Sequence, residues 1–245
     1  MTDGRSAGGV FDTLLVHDGR AVEVGAHWER FTATLDAVYG AAPPADLRAR
    51  IPRLASARPA GSHRMRVDYA PEARPAFLVS VTAAPESLLE TGGHAPLEAR
   101  LLDLPGGLGG HKWRDRSALG VERDPRPPLV RDRDGQVLEA GHGNLVIVEE
   151  DGLVTPPLDG RILPGVTRRR VLLLAGRDAI AVREQPIDAE RLRRAGDVFV
   201  TSAIRGIQRI GRCEGVGAWS PSPLTSRLAR ALREAWLSRD DAGGE

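Results

Sequence analysis

The residue that most constrains the chemistry of this chain is Lys112, the single lysine in a sequence with 34 basic residues. Arginine supplies surface charge and anion binding as well as lysine does, but its guanidinium stays protonated and cannot act as a nucleophilic amine or a proton carrier. Lys112 lies in the segment LGGHKWRDR, residues 108–116. The count alone does not decide between a reactive amine and a surface charge left by arginine-biased coding.

Two further groups in the second half of the chain could take part in chemistry. Glu139 stands where a predicted strand runs into the glycine-bearing bend AGHGN, so its carboxylate can project into a cleft. Pro164-Gly165 stops the chain, and Thr167 opens an apolar helix whose first N–H groups and positive dipole end favour an anion. Each has an ordinary alternative, because turn glutamates are commonly exposed and many helices begin in this way.

The segment SAIRGIQRI, residues 202–210, leaves a predicted strand. Ser202 and Ala203 are small enough for their backbone N–H groups to meet a ligand, and Arg205 could bind a carboxylate. Arg30, near the start of a predicted helix, and Arg205 are on local grounds no different from solvated surface arginines.

The composition limits the class of protein. A chain of 245 residues with 41% hydrophobic residues can fill a globular core, and its net charge of +1 argues against a nucleic-acid partner. Cys213 is the only cysteine, so no internal disulfide or cysteine-built zinc site can form, and no metal is expected. No leader or bilayer-length apolar run is present, so we expect a cytoplasmic protein without a membrane partner.

The hydrophobic pattern of the first half predicts a small N-terminal α/β domain over residues 1–105, then a linker over 106–110 in the stretch LPGGLGG. A helix carrying Trp28, Phe31, Leu35 and Val38 on one face should end near Gly40. A second helix is predicted from Asp46 to Ala57. The predicted strands are 10–16 and 21–24, joined by a turn at Asp18-Gly19, then 64–69, 76–82 and 97–103.

A larger C-terminal α/β domain carrying Lys112 is predicted for residues 111–245. Asp-Gly turns at 134–135 and 151–152 separate short strands of an antiparallel meander. A helix capped by Asp188 and a last helix starting at Ser222-Pro223 complete the domain. The predicted strands are 129–131, 136–139, 144–150, 180–187 and 197–202.

Five segments carry a family resemblance: FDTLLVHDG, HWERF, HKWRDR, GQVLEAGHGNLVIVEEDGLVTPPLDGRILPGVTR and AGDVFVTSAIRGI. In this order and spacing they resemble the class IV aminotransferase family, the fold type IV enzymes that use pyridoxal 5'-phosphate. The resemblance implies an α/β (α+β) fold of two domains, with the cofactor in the cleft between them, and a homodimer.

The resemblance also implies roles for individual residues. Lys112 matches the lysine to which the cofactor is attached, and Glu139 matches the carboxylate that contacts the pyridine nitrogen and keeps it protonated. Released by the substrate amine, Lys112 would move a proton at the substrate carbon. The other matched positions are Arg30 at the phosphate, Asn144 near the cofactor, Val166 and Thr167 at the phosphate-binding helix start, and Ser202 with Ala203 in a second phosphate-side loop.

Within the family, two motifs are similar to those of aminodeoxychorismate lyases. KWRDR resembles their Lys-x-x-Asn-Arg pattern, with Asp115 in place of asparagine, and SAIRGI resembles a loop of the lyase domains fused to aminodeoxychorismate synthase. Both motifs favour a lyase that converts 4-amino-4-deoxychorismate to 4-aminobenzoate and pyruvate for folate or another metabolite, supplied by a synthase upstream. The chain departs from the family in two places: it begins near FDTLLV without the first hairpin of stand-alone members, as the fused domains also do, and Gln208-Arg209 stands where most members carry a proline. Arg205 is the candidate for a substrate carboxylate.

Two alternatives stay open. One is a class IV aminotransferase acting on a D-amino acid, a branched-chain amino acid or another small amine. The other is a cofactor-free binding or scaffold protein that has kept the fold. It predicts no yellow cofactor absorbance and no effect of replacing Lys112, and the survival of one lysine argues against it.

Overall fold

The computed structural model describes residues 4–238, in which the chain forms two separate β-sheets. The first is a four-stranded antiparallel sheet in the order β2-β1-β3-β4, preceded by a short 3-10 helix at Gly4–Gly8. Because side chains alternate across a strand, Leu14 and Val16 of β1 face two helices, α1 (Val24–Tyr39) and α2 (Leu47–Ser56). The strands are β1 (Val10–His17), β2 (Arg20–Ala21), β3 (Ser62–Tyr69) and β4 (Phe77–Ala83).

The second sheet has nine strands, and six of them close into a ring. β7 pairs with β8, so the order β8-β11-β12-β5-β6-β7 returns to its first strand, while β9 and β10 extend outward from β8 and β13 pairs with β12. One face of the ring strands forms a single apolar cluster with the helix α5 (Ala189–Arg194). The strands are β5 (Leu97–Asp103), β6 (Pro128–Arg131), β7 (Val137–Ala140), β8 (Gly143–Glu149), β9 (Gly152–Thr155), β10 (Val182–Glu184), β11 (Asp197–Ser202), β12 (Gly206–Cys213) and β13 (Gly217–Ala218).

One apolar core joins the two sheets. It contains Leu15 from the first sheet, Phe199 from the second and Trp236 from the last helix, all almost completely buried. The helices in this core are α3 (Leu88–Thr91), α4 (Val166–Arg177) and α6 (Pro223–Leu237), and a short 3-10 helix lies at Ser117–Leu119. The two sheets are therefore packed together through shared side chains rather than joined by a linker alone.

Most predicted elements are present, and the differences have local causes. The second strand of the first hairpin is only two residues long, because α1 already begins at Val24. Residues 206–213, for which no strand was predicted, form strand β12, in which Arg209 is held by the fully buried carboxylate of Asp197 at 2.9 Å. Glycines and polar residues break the alternation of this strand, so its sequence does not show the usual pattern.

The predicted division of the chain near residues 106–110 does not coincide with the division between the sheets. β5, assigned to the N-terminal domain of 1–105, is hydrogen-bonded in parallel to both β12 and β6 in the second sheet. Strand pairing over a long sequence distance decides the membership of β5, and the glycine-rich stretch that follows it cannot show this. Within residues 4–238 no helix is long and apolar enough to cross a membrane.

Candidate active site

A cavity of about 600 Å³ lies where side chains of the two sheets meet. Strands β1, β3 and β4 of the first sheet line one part of it, and β7, β8, β11 and the start of α4 line the rest. All nine residues singled out from the sequence line this cavity: Arg30, Lys112, Glu139, Asn144, Val166, Thr167, Ser202, Ala203 and Arg205. The fold brings them together, and their individual roles stay predictions.

Main-chain bonds to β1 hold Lys112 at the cavity. Its carbonyl oxygen accepts from the N–H of Phe11 at 2.9 Å, and the neighbouring Trp113 is buried in the core of the first sheet. The Nζ of Lys112 lies 4.9 Å from the centre of the Phe11 ring. Desolvation and the positive charge of Arg30, opposed by the negative charge of Asp12, together lower the pKa of Lys112 to about 7. A large fraction of the amine is therefore neutral and nucleophilic near neutral pH.

The carboxyl of Glu139 is buried at the end of β7, with its side chain 3% exposed. The N–H of Leu163 donates to its Oε2 at 3.3 Å, and the amide of Asn144 donates to the same atom at 3.4 Å. The Asn144 amide also donates to the Leu163 carbonyl at 2.8 Å, which fixes its orientation. Burial raises the pKa of Glu139 to about 8, so this carboxyl can hold a proton near neutral pH.

The start of α4 provides hydrogen-bond donors at the cavity. Gly165 precedes the helix, and a Cβ there would lie 1.9 Å from the Asn144 side-chain oxygen, so only glycine fits. The first N–H groups of a helix have no partner within it. The hydroxyls of Thr167, in this first turn, and of Thr201, at the end of β11, are both buried without a hydrogen-bond partner. An anion bound here would satisfy both hydroxyls and the helix start.

Arg30 is held in place by residues that the sequence did not single out. Its Nε and terminal nitrogen donate to Asp12 at 2.9 and 2.7 Å, and its other terminal nitrogen donates to the Pro164 carbonyl at 3.2 Å. The ring of His27 lies 2.8 Å from the same Asp12 carboxylate. Burial would raise the pKa of Asp12, but Arg30 and His27 hold it well below its usual range. The bond to Pro164 places Arg30 beside the two residues that precede α4, Pro164 and Gly165.

Several residues in and around the cavity were not predicted as site residues from the sequence. Asp12, which holds Arg30 from behind the cavity wall, is the one acidic residue of strand β1, and a buried acid in a mostly apolar strand is a signal of function. Arg64 and Arg66 lie two residues apart on one face of β3, and both line the cavity. Arg116, which also lines it, is the last residue of the KWRDR motif that begins with Lys112. His142 lines the cavity in the bend between β7 and β8. Each of these residue types is common on protein surfaces, so sequence alone does not mark them.

The cavity groups suit the cofactor that the resemblance implies. Pyridoxal phosphate presents an aldehyde, a ring nitrogen and a phosphate, and the cavity offers an amine at Lys112, a carboxyl at Glu139 and a helix start at Val166. The two partnerless hydroxyls of Thr167 and Thr201 are the observation that a phosphate at this position would explain. Among residues 4–238 there is no group of three His, Cys, Asp or Glu side chains that could hold a metal ion.

Part of the chain is similar in sequence to known proteins. Residues 120–213 match the sequence model of the amino-transferase class IV family. A D-alanine aminotransferase from Bacillus licheniformis is 31% identical over 108 residues, which are 43% of this chain and 38% of that enzyme. The match thus spans well under half of the relative's length.

Solved structures are similar over nearly the whole chain. A hypothetical aminotransferase from Mycobacterium tuberculosis, in its PLP-bound form, has a TM-score of 0.81 at 22% identity, covering 95% of this chain and 90% of that one. A 4-amino-4-deoxychorismate lyase from Pseudomonas aeruginosa has a TM-score of 0.76 at 22% identity, covering 94% and 91%. At this identity the likeness shows the fold, and the predicted type IV fold is confirmed.

Proposed function

We propose that this chain, whose residues 120–213 match the sequence model of the class IV aminotransferase family, is a pyridoxal-phosphate-dependent lyase of that family. Its proposed substrate is 4-amino-4-deoxychorismate, and its products are 4-aminobenzoate and pyruvate. The observation that carries the proposal is the presence, in one cavity, of an amine with a pKa of about 7 and a buried carboxyl with a pKa of about 8. Perturbed groups of this kind cluster at functional sites.

Different residues of the cavity would bind different parts of the cofactor. Lys112 would hold the aldehyde carbon, Glu139 the ring nitrogen, and the start of α4 with Ser202 and Ala203 the phosphate. When bound, pyridoxal phosphate supplies a protonated ring that accepts the electron pair left when a bond at the amine-bearing carbon breaks. Glu139 supports this chemistry because a carboxyl that shares a proton with the ring nitrogen keeps positive charge on the ring.

Lys112 is the group that moves the proton. Once the substrate amine has displaced it, its amine is free, and a pKa near neutrality suits it to take a proton from the ring carbon that bears the substrate amine. The C–O bond to the enolpyruvyl group then breaks, the ring becomes aromatic, and the departing enol takes up a proton at its methylene carbon to become pyruvate. The reaction needs no oxidant and no other substrate.

Two motifs support a lyase over the other activities of the family. Arg116, the last residue of KWRDR, and Arg205, in SAIRGI, both line the cavity. The proposed substrate carries two carboxylates, for which two cavity arginines are suitable partners. The homodimer, and a synthase as the source of the substrate, are further proposals that come from the resemblance.

The test is to add enzymatically made 4-amino-4-deoxychorismate to the purified protein loaded with cofactor and to follow both products. We expect 4-aminobenzoate and pyruvate to appear in equal amounts, and Lys112→Ala to abolish both. Because the sequence has one lysine, borohydride reduction should fix the cofactor to a single side chain, found by peptide mapping. Loaded protein that forms neither product would contradict the lyase proposal.

An aminotransferase acting on a D-amino acid, a branched-chain amino acid or another small amine is the second candidate. It is favoured by the match to the D-alanine aminotransferase. Here an amino acid alone should bleach the yellow cofactor absorbance and release one equivalent of keto acid. A screen of D-alanine, leucine and other amines that produced no keto acid would exclude this candidate for those amines.

A further inference from the structure

Five arginines line the cavity, and three of them are already neutralised by a carboxylate. The paired arginines lie at short distances from their partners: Arg30 at 2.7 Å from Asp12, Arg64 at 2.5 Å from Glu86, and Arg66 at 2.6 Å from Asp68. Each pair is internally compensated, so these three side chains have a structural partner independent of any ligand.

The other two arginines, Arg116 and Arg205, form no ion pair with any carboxylate of residues 4–238. The guanidinium of Arg116 donates to the carbonyl oxygen of Gly141, and that of Arg205 donates to the side-chain oxygen of Gln208 at 3.4 Å. Both partners are neutral oxygens. Glu139 is the one acidic residue in the cavity lining, and although its charge acts on Arg116, its carboxyl is held by Leu163 and Asn144 and its raised pKa favours the protonated form near neutral pH. The cavity therefore carries two uncompensated guanidinium charges.

Arg116 and Arg205 come from distant parts of the chain and approach the same bend, residues 141–143. Arg116 donates to the carbonyl oxygen of Gly141, the first residue of the bend, and the positive charges of both arginines disfavour protonation of His142. Surrounding protein desolvates His142 and, together with these two charges, lowers its pKa to about 4. A neutral imidazole adds no charge of its own and can donate one hydrogen bond to an anion.

A second cavity, of about 220 Å³, borders the first at this bend. It shares Gly141, His142 and Arg205 with the main cavity, and its remaining walls are formed by apolar side chains and prolines. Arg205 thus lies between the reacting part of the site and a small apolar chamber. A carboxylate held by Arg205 could be attached to a short side group that extends into this chamber.

We propose that Arg116 and Arg205 each bind one carboxylate of a dicarboxylate substrate, and that together they select doubly charged amines over singly charged ones. The chemical class rests on the proposed lyase function, whose substrate carries a ring carboxylate and an enolpyruvyl carboxylate. Gln208 is a positioning residue in this arrangement, because it holds the Arg205 guanidinium and donates to the Ala95 carbonyl at 3.3 Å. Among residues 4–238, no carboxylate forms an ion pair with either arginine, and the Glu139 carboxyl that acts on Arg116 has a raised pKa.

Chorismate is a suitable probe, because it has both carboxylates of the proposed substrate and a hydroxyl in place of the amine. It can occupy the site without reacting through Lys112. We expect isothermal titration of the cofactor-loaded protein to show that chorismate binds at least about tenfold more tightly than benzoate, which has one carboxylate. Arg116→Gln and Arg205→Gln should each weaken chorismate binding by about 10- to 100-fold.

Arg114→Gln is the matched control. This arginine belongs to the same segment as Arg116, is ion-paired with Asp68 at 3.1 Å, and does not line the cavity. Its replacement should change chorismate affinity less than about twofold. Arg116→Lys and Arg205→Lys keep the charge and should retain intermediate affinity, and they serve if a glutamine variant does not fold.

The outcomes separate this inference from the proposed function. Unmeasurable chorismate binding, binding no tighter than that of benzoate, or equal binding by the wild type and the arginine variants would overturn the inference. If both arginines prove necessary for chorismate binding but no 4-aminobenzoate forms from the amine, the dicarboxylate site stands and the lyase proposal fails. If 4-aminobenzoate forms and the KM for the amine is unchanged in the arginine variants, the lyase proposal stands and the dicarboxylate site fails.

Discussion

Two titratable side chains in the cavity have their usual charge states disfavoured by the fold. Lys112 loses solvation and has a pKa of about 7, and Glu139 is buried and has a pKa of about 8. In the protein without a ligand both groups carry much less charge than they would in water. Such groups cost stability, and a ligand that shares a proton with Glu139 or bonds to Lys112 recovers part of that cost.

Glu139→Gln tests the pKa of this carboxyl through protein stability. Because the folded-state pKa is about 8 against an ordinary 4.5, the proton stabilises the fold fully below pH 4.5, and this contribution is lost as the pH rises to 8. Glutamine stays neutral. We expect the free energy of unfolding of the cofactor-free variant, relative to wild type, to increase by about 1–3 kcal/mol between pH 5 and 8.5.

Urea unfolding at a series of pH values measures this difference. Lys112 titrates in the same range but is present in both proteins, so its contribution largely cancels in the comparison. A difference between the two proteins that does not change with pH would mean that the Glu139 carboxyl ionises with an ordinary pKa.

The start of helix α4 organises the part of the cavity where we propose that phosphate binds. Gly165 allows the chain to pass Asn144, whose amide connects the Leu163 carbonyl with Glu139. The Pro164 carbonyl accepts from Arg30. The helix start, the buried carboxyl and the arginine are therefore coupled through a few adjacent backbone groups, and a shift of this turn should disturb all three.

Gly165→Ala should disrupt that turn, because its Cβ would overlap the Asn144 side-chain oxygen. We expect a loss of about 1–3 kcal/mol in stability and weaker retention of the cofactor. Gly176→Ala is the control on the same helix, since a Cβ at Gly176 meets no atom within 4 Å and should stabilise the helix by about 0.5–1 kcal/mol. Thermal unfolding with and without added cofactor measures both effects, and equal behaviour of the two variants would refute the packing argument.

For the molecule as a whole, the two sheets share one core, in which the C-terminal helix α6 has a central part. Trp236 of this helix is 1% exposed, and its indole N–H donates to Glu23 at 3.2 Å, beside the start of α1. Arg20 of β2 donates to the Trp236 carbonyl. The cavity lies between elements that this core holds together, so its shape depends on the whole described chain.

Trp236→Ala should therefore destabilise both sheets together. Removal of a buried tryptophan costs about 3–5 kcal/mol, and we expect a lower Tm with a single cooperative transition. The adjacent Leu237 is 41% exposed, so Leu237→Ala should change stability by less than about 0.5 kcal/mol. Far- and near-ultraviolet circular dichroism would follow the transition, and two separate transitions would show that the sheets unfold independently.

The sequence by itself determined the groups that can do chemistry and the local elements that carry them. A single lysine, a carboxylate at a strand end and a glycine before a helix are visible as residue types at short spacing. Strand alternation and helix start and stop signals depend on neighbouring residues, which is why the bounds of β1 and β3, the end of α1 and the starts of α4 and α6 were predicted close to their observed positions.

Only the tertiary structure decided which charges are compensated and which strands are neighbours. Arg30 meets Pro164 across 134 residues, Arg116 meets Gly141 across 25, and β5 pairs with β6 and with the much later strand β12. Ion pairing and desolvation depend on groups that folding brings together from distant parts of the chain, so local sequence spacing does not identify the partners. For the same reason, the pairing of Asp12 with Arg30 became visible only in the folded chain.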